Sequence, residues 1–218
     1  MPAKMTLYGL PYEIWLNGRI ACGKDTFAKA LADHYGYWTR GVGQLIATEI
    51  EAAEGLAPGF IYRTPGEKDR RRSQLQDWGN KGRAEDPHYW LKAWLRERTK
   101  VAHLPAIQTS CRFIYEAQEA LRRRAAGLDV VVIKLVVPED LRQERIKANY
   151  PSHTAAQDQN VAEAEIDKVP YNIELRGDLT RKETPYQLAM AYKLWQGCGC
   201  PIYAETPESA DLIYRSLY

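Results

Sequence analysis

The chain has 218 residues, 45% of them hydrophobic and 27% charged, which suits one globular domain or one core carrying a smaller inserted lobe. A formal charge of +2 is too mild for a polynucleotide partner, although local basic clusters could still grip a small polyanion. No stretch approaches the roughly 18 consecutive apolar residues of a membrane span, and Met1-Pro2-Ala3-Lys4 lacks the apolar run of a secretory signal, so a cytosolic protein is expected.

The first predicted strand, Glu13 to Asn17, is followed by Gly18-Arg19-Ile20-Ala21-Cys22-Gly23-Lys24-Asp25-Thr26 and a predicted helix from Lys24 to Tyr35. Gly18, Gly23 and Lys24 fit G-x-x-x-x-G-K, the phosphate-binding P-loop. In such a loop the backbone N–H groups of Gly18, Arg19, Ala21, Cys22 and Gly23, together with the helix N-terminus, would face ATP phosphates that the lysine reaches. By chance the bare spacing arises in roughly one chain of this length in twenty, so the context matters. Ile14, Trp15 and Leu16 lead in, and Phe27, Ala28, Ala30, Leu31 and Ala32 give a helix-favouring exit. Where Ser or Thr normally offers a hydroxyl to Mg²⁺, this chain has Asp25, then Thr26. Asp25 could hold the metal directly or through water, fix a nearby arginine, or simply cap the helix.

From Arg40 to Lys100 the strand–helix rhythm is interrupted, and the segment reads as an inserted lobe of helical or loop material. It contains Arg63, Lys68, Arg70, Arg71, Arg72, Gln74, Gln76, Trp78, Arg83, Asp86, His88 and Trp90. A run such as Arg70 to Arg72 is most often a solvated helix face. The block from Gln74 to Trp90 mixes stacking, hydrogen-bonding and guanidinium groups, which a base and its monophosphate need. Against that, Trp78 and Trp90 at helical spacing suit core packing equally well.

A strand is predicted from Ala106 to Thr109, a helix from Ile114 to Ala126, and a strand buried on both faces from Val130 to Val137, ended by Pro138. A charged helix from Glu139 to Asn149 carries Arg142, Arg145 and Lys147, whose shared face could form a closing lid or pair with Glu139, Asp140 and Glu144. After a polar stretch from Pro151 to Asp167, Tyr171 to Leu175 reads as a strand and Thr184 to Trp195 as a helix. This alternation predicts an α/β fold with a parallel central sheet and right-handed crossovers. The four cysteines, Cys22, Cys111, Cys198 and Cys200, lack zinc-type C-x2-C pairing and are expected to be free thiols.

Four segments together resemble the P-loop deoxynucleoside monophosphate kinases of bacteriophages: Gly18 to Thr26, with Asp after the lysine; Gln76 to Trp90; Cys111-Arg112-Phe113-x-x-Glu116; and Pro151-Ser152 with Asn172. Two positions depart from that family, which commonly has Asp where Ser110 stands and Glu where His153 stands. The resemblance implies a three-layer α/β/α P-loop fold with an acceptor lobe over residues 40–100 and a lid over about 139–168. It implies transfer of the γ-phosphoryl group of ATP, with Mg²⁺, to a (deoxy)nucleoside 5′-monophosphate, in the cytoplasm, that of the host if the chain is phage-encoded. Lys24, Asp25, Arg83, Arg112 and Arg142 would then be catalytic, Asp25 and Thr26 metal-positioning, and Arg63, Gln76, Trp78, Arg83, Asp86 and Trp90 acceptor-binding. Arg112 has a competing structural role, pairing with Glu116 on its helix. Two other readings stand beside this one: a kinase of another small phosphorylated acceptor, of the phosphomevalonate kind, and an ATP-binding regulatory protein without transferase activity, motivated by Ser110. The residues leave open the base, the sugar and whether the chain forms a homodimer.

Overall fold

A computed structural model of the chain describes residues 9–150 and 165–199, so Pro151, Ser152, His153 and Cys200 lie outside the described residues. Five strands, β1 (Glu13–Asn17), β2 (Trp38–Arg40), β3 (Ala106–Gln108), β4 (Val130–Val136) and β5 (Ile173–Arg176), form one parallel sheet in the order β2-β3-β1-β4-β5. β1 is central and buried along its whole length, which explains an apolar run without polar alternation at Ile14-Trp15-Leu16.

Successive side chains of a strand point to opposite faces, and the two cores follow that rule. Ile14, Leu16, Val131 and Ile133 pack on one face against Phe27 and Leu31 of α1 (Lys24–Tyr35) and Leu188 and Tyr192 of α9 (Glu183–Cys198). Trp15, Val130 and Val132 pack on the other against α2 (Val42–Ala53), α6 (Tyr89–Lys100) and α7 (Ile114–Ala125). Trp15 meets Trp94 edge-on at 5.1 Å, an arrangement favoured by the ring quadrupoles. The three-layer α/β/α P-loop architecture is therefore the fold of this chain. Between α2 and α6 lie three further helices, α3 (Phe60–Arg63), α4 (Glu67–Arg70) and α5 (Arg72–Glu85), and α8 (Glu139–Asn149) follows β4. Among the described residues no helix is long and apolar enough to cross a membrane.

Expected and observed elements differ by a few residues at most, except β2, which lies at the edge of the stretch expected to be unbroken helix or loop. Its three residues are too few to show an alternating pattern. Two boundary signals frame it: Gly36, left-handed at φ 70°, ends α1, and the N–H of Trp38 donates to the Pro105 carbonyl at 2.8 Å.

At the N-terminal end of β1, Glu13 is 2% exposed and accepts from Arg98 Nε, Arg123 Nε and Nη2, and Trp15 Nε1, at 2.8 to 2.9 Å. This buried acid is saturated by its own partners and ties β1 to α6 and α7. The opposite, C-terminal end of the sheet is where ligands bind in open parallel α/β folds.

Candidate active site

The loop from Gly18 to Gly23 leaves β1 at that end and enters α1. Gly18 at φ 139° and Gly23 at φ 97° occupy backbone regions that side chains rarely adopt. A Cβ at Gly18 would come within 2.6 Å of the Leu135 carbonyl, and one at Gly23 would collide with the carbonyl of Gly177. The motif glycines are thus demanded by close backbone approach as well as by conformation. Gly23 caps α1 without any side-chain hydrogen bond, so no cap competes with an anion for the first helical N–H groups. Lys24 Nζ folds over the loop and donates to the carbonyls of Gly18 and Arg19, the latter at 2.7 Å.

In front of the loop opens a cleft of about 910 Å³. Ala21, Gly23, Lys24, Asp25 and Thr26 line its floor, and Gln76, Arg83 and Arg112 line the far side. Residues singled out less sharply by sequence also face it: Tyr62, Lys68, Arg72, Phe113, Glu116, Arg145 and Tyr150. Of the run Arg70 to Arg72, only Arg72 reaches the cleft, because Arg70 and Arg71 are engaged by Glu67 and Glu54.

Several expected site residues lie elsewhere. Trp90 is 1% exposed in the second core, with its indole N–H donated to the Gly79 carbonyl at 2.9 Å. Trp78 donates to Glu49 at 3.0 Å and does not line the cleft. Asp86 caps the end of α5, accepting from the His88 N–H at 2.9 Å and pairing with Lys92 at 2.6 Å. Arg63 is exposed and folds against Gly59. Arg142 is buried and grips Glu139 through two bonds of 2.7 Å. One turn on, Arg145 takes the cleft position and donates to the carbonyls of Ala21 and Gly177. Arg19 is exposed and paired with Asp167, while Gly18 and Cys22 are buried beneath the loop.

The cations at the cleft are held by aromatic faces. The Arg83 guanidinium lies 5.1 Å over the Phe113 ring, Arg72 lies 4.9 Å over Tyr150, and the Lys68 ammonium lies 4.7 Å over Tyr62. Burial pushes the Arg83 pKa down, and also that of Lys68 despite the neighbouring Asp25. Arg72 Nη2 is buried and, among the described residues, donates no hydrogen bond, although it lies 3.2 Å from Asp69. A buried guanidinium nitrogen with an unspent donor is a place for an acceptor oxygen.

Glu116 is 2% exposed at the start of α7 and accepts from the backbone N–H groups of Arg112 and Phe113 at 2.6 and 3.1 Å. Burial nonetheless raises its pKa from 4.5 to about 7. A carboxyl that holds its proton more tightly when folded makes stability fall as pH rises from its unfolded pKa through its folded one. Glu116→Gln fixes the neutral form and keeps an oxygen for the same N–H groups. Urea unfolding between pH 5 and pH 8 should therefore show a smaller alkaline loss in the variant, by an amount on the order of 2 kcal/mol. Equal pH slopes for the two proteins would rule out this role.

Ser110, where an acid would have served a metal, is spent on structure: its hydroxyl accepts the Val42 N–H at 2.7 Å at the start of α2. Among the described residues no group of three or more His, Cys, Asp or Glu side chains could hold a metal. Asp25 and Thr26, both exposed on the cleft floor, fit an ion such as Mg²⁺ that takes one or two protein ligands and fills its shell with phosphate oxygens and water.

No family model matches the chain, and no curated protein matches it significantly. Solved structures similar to it include a gluconokinase from Sinorhizobium meliloti 1021, 15% identical, covering 87% of this chain and 98% of that one, with a TM-score of 0.48. A shikimate kinase from Aquifex aeolicus is 14% identical over 85% of this chain and 99% of its own, with a TM-score of 0.43. A shikimate kinase from Bacteroides thetaiotaomicron is 13% identical over 94% and 95%, with a TM-score of 0.36. All three are named as kinases of small molecules and none as a nucleoside monophosphate kinase; with TM-scores below 0.5 the likeness carries no argument about what this chain binds.

Proposed function

We propose that the chain is a phosphotransferase that moves the γ-phosphoryl group of ATP to a (deoxy)nucleoside 5′-monophosphate. The observation that carries this reading is the gathering of Lys68, Arg72, Arg83 and Arg112 across the cleft from Lys24, in a chain whose net charge is only +2. A donor triphosphate is served by the loop amides and Lys24. Four further cations suit a second phosphorylated ligand, whereas an acceptor bearing only hydroxyls would bring no anionic charge to meet them. Val42, Ile46, Leu75 and Phe113 supply an apolar lining and Gln76 an amide, which favours a base over the small aliphatic body of a phosphomevalonate-like acceptor.

Position supports a division of labour. Loop N–H groups and Lys24 hold the β- and γ-phosphates, and the arginines neutralise charge that spreads over the transferred group. Asp25 and Thr26 would hold Mg²⁺, which when bound screens the phosphate charges. An oxygen of the acceptor phosphate attacks the γ-phosphorus as the bond to ADP breaks. That oxygen is already ionised at neutral pH, so no general base is required. Helices α4 and α5 and the later turns of α8, which line the cleft through Lys68, Arg72 and Arg145 among others, can exclude water, which would otherwise take the phosphoryl group.

Arg83 tests the acceptor side. Arg83→Lys keeps the charge but loses the planar fork, and Arg83→Ala loses both. Acceptor KM should rise about tenfold or more in Arg83→Ala, and by less in Arg83→Lys, with equilibrium ATP binding unchanged. An unchanged acceptor KM and kcat would move the phosphate site to Arg72 or Arg112. Lost ATP binding would put Arg83 on the donor side.

A further inference from the structure

The P-loop helix and the segment between β2 and β3 meet across the cleft at one ion pair: Lys68 Nζ of α4 lies 3.7 Å from Asp25 Oδ2 of α1. Asp25 faces the cleft with 76% of its side chain exposed, and Lys68 is 38% exposed. Helix α4 buries no residue, and its ion pairs to the start of α5, Glu67–Arg71 and Asp69–Arg72, do not involve Lys68. The ammonium is aimed instead by its seat over the Tyr62 ring, 4.7 Å from the centroid. Tyr62 is itself fitted to the start of α2, with its hydroxyl so close to Gly43 that a Cβ there would come within 2.5 Å.

We propose that Lys68 is the built-in counter-cation of Asp25, displaced by a divalent cation when a nucleotide's phosphates arrive, so that the insertion senses the state of the donor site. This rests on the nucleotide-binding reading of the cleft. The reason is competition for one carboxylate. Asp25 beside phosphates would repel them, and a cation beside it removes that repulsion. In the structure Lys68 of the insertion stands beside it. Asp25, on binding a divalent cation, would no longer need the lysine, because two cations cannot share so small a site without mutual repulsion. Released from Asp25, the lysine carries its charge toward Arg72 and Arg112, the acceptor side. Occupancy of the donor site then strengthens the acceptor site, and by linkage the reverse holds equally.

Calorimetric binding of ADP, with and without Mg²⁺, to the wild type, Lys68→Met, Asp25→Asn and the double variant reads this directly. Lys68→Met should weaken metal-free ADP binding and lower the Mg²⁺ concentration for half-maximal tightening about three- to fivefold, the range expected for one partly exposed ion pair. In the Asp25→Asn background the lysine substitution should leave the Mg²⁺ dependence unchanged, since the carboxylate they compete for is gone. Lys68→Arg, which keeps the charge, should resemble the wild type. An equal Mg²⁺ dependence in wild type and Lys68→Met would overturn the inference. So would an undiminished effect of Lys68→Met when Asp25 is Asn, which would reduce Lys68 to a distant charge. Because ADP and Mg²⁺ alone are measured, failure of the acceptor assignment leaves this result intact. Absence of any ADP binding by the wild type would sink the nucleotide reading and the inference with it.

Discussion

Lys24→Ala should reduce phosphoryl transfer by about 10²- to 10³-fold or more while leaving the fold intact. Among the described residues the side chain reaches over the loop and donates to the carbonyls of Gly18 and Arg19 and, at 3.5 Å, to the Cys22 sulfur, so its loss removes charge and little packing. The Arg19 carbonyl lies at the exposed loop surface, where water can replace the ammonium. A γ-phosphate has no such substitute, since α1 begins at Lys24 and no other lysine stands at the first turn. Single-turnover kinetics, with thermal unfolding as the control for folding, separate the two effects. Near-wild-type turnover by a folded Lys24→Ala protein would contradict a P-loop kinase.

The largest stability effect is expected at the other end of the same strand. Glu13→Ala leaves the guanidinium of Arg98, itself 4% exposed, and the half-buried one of Arg123 without their shared carboxylate. Removing one partner of a buried ion pair costs about 3–5 kcal/mol, because the remaining charge cannot recover its hydration. Glu13→Gln should cost less, as one amide oxygen still accepts from part of the cluster. The Trp15 indole N–H also loses its acceptor in the alanine variant. Because a five-residue strand separates Glu13 from the loop, a distance of roughly 16 Å, activity per folded molecule should be retained. Urea unfolding reads the difference, and a loss below about 1 kcal/mol would mean that the pair is open to water.

These two residues also mark what can be read from sequence. Lys24 belongs to a local motif: glycines forced by close backbone approach, an apolar strand before them and a helix after them are all visible within fourteen residues. Strand β4 is legible for a similar reason, since seven largely apolar residues in a row, closed off by Pro138, suit a strand buried on both faces and are too short for a buried helix. Glu13 is not, because its partners stand 85 and 110 residues away and nothing local distinguishes it from a surface acid.

The far side of the cleft shows the same limit. Trp90 and Arg83 belong to one dense polar and aromatic block, yet Trp90 turns into the core beside Trp94 while Arg83 turns to the cleft. Helix phase decides between them, and phase depends on where the neighbouring helices pack. Arg72 and Arg145 illustrate it on single turns: Arg70 and Arg71 turn to Glu67 and Glu54 and Arg142 to Glu139, while Arg72, although paired with Asp69, and Arg145 line the cleft. Ser110 is legible as a departure, but its use as the cap of α2 requires the Val42 N–H to be placed beside it.

Phosphorus NMR of the protein with Mg²⁺, ATP and each nucleoside 5′-monophosphate in turn, in deoxyribose and ribose forms, tests the central claim most directly. At least one monophosphate should lose its resonance while those of a new diphosphate and of ADP grow in equal amounts, without accumulation of inorganic phosphate. Consumption of ATP with release of inorganic phosphate alone, or no consumption with any monophosphate, would contradict the proposed phosphoryl transfer.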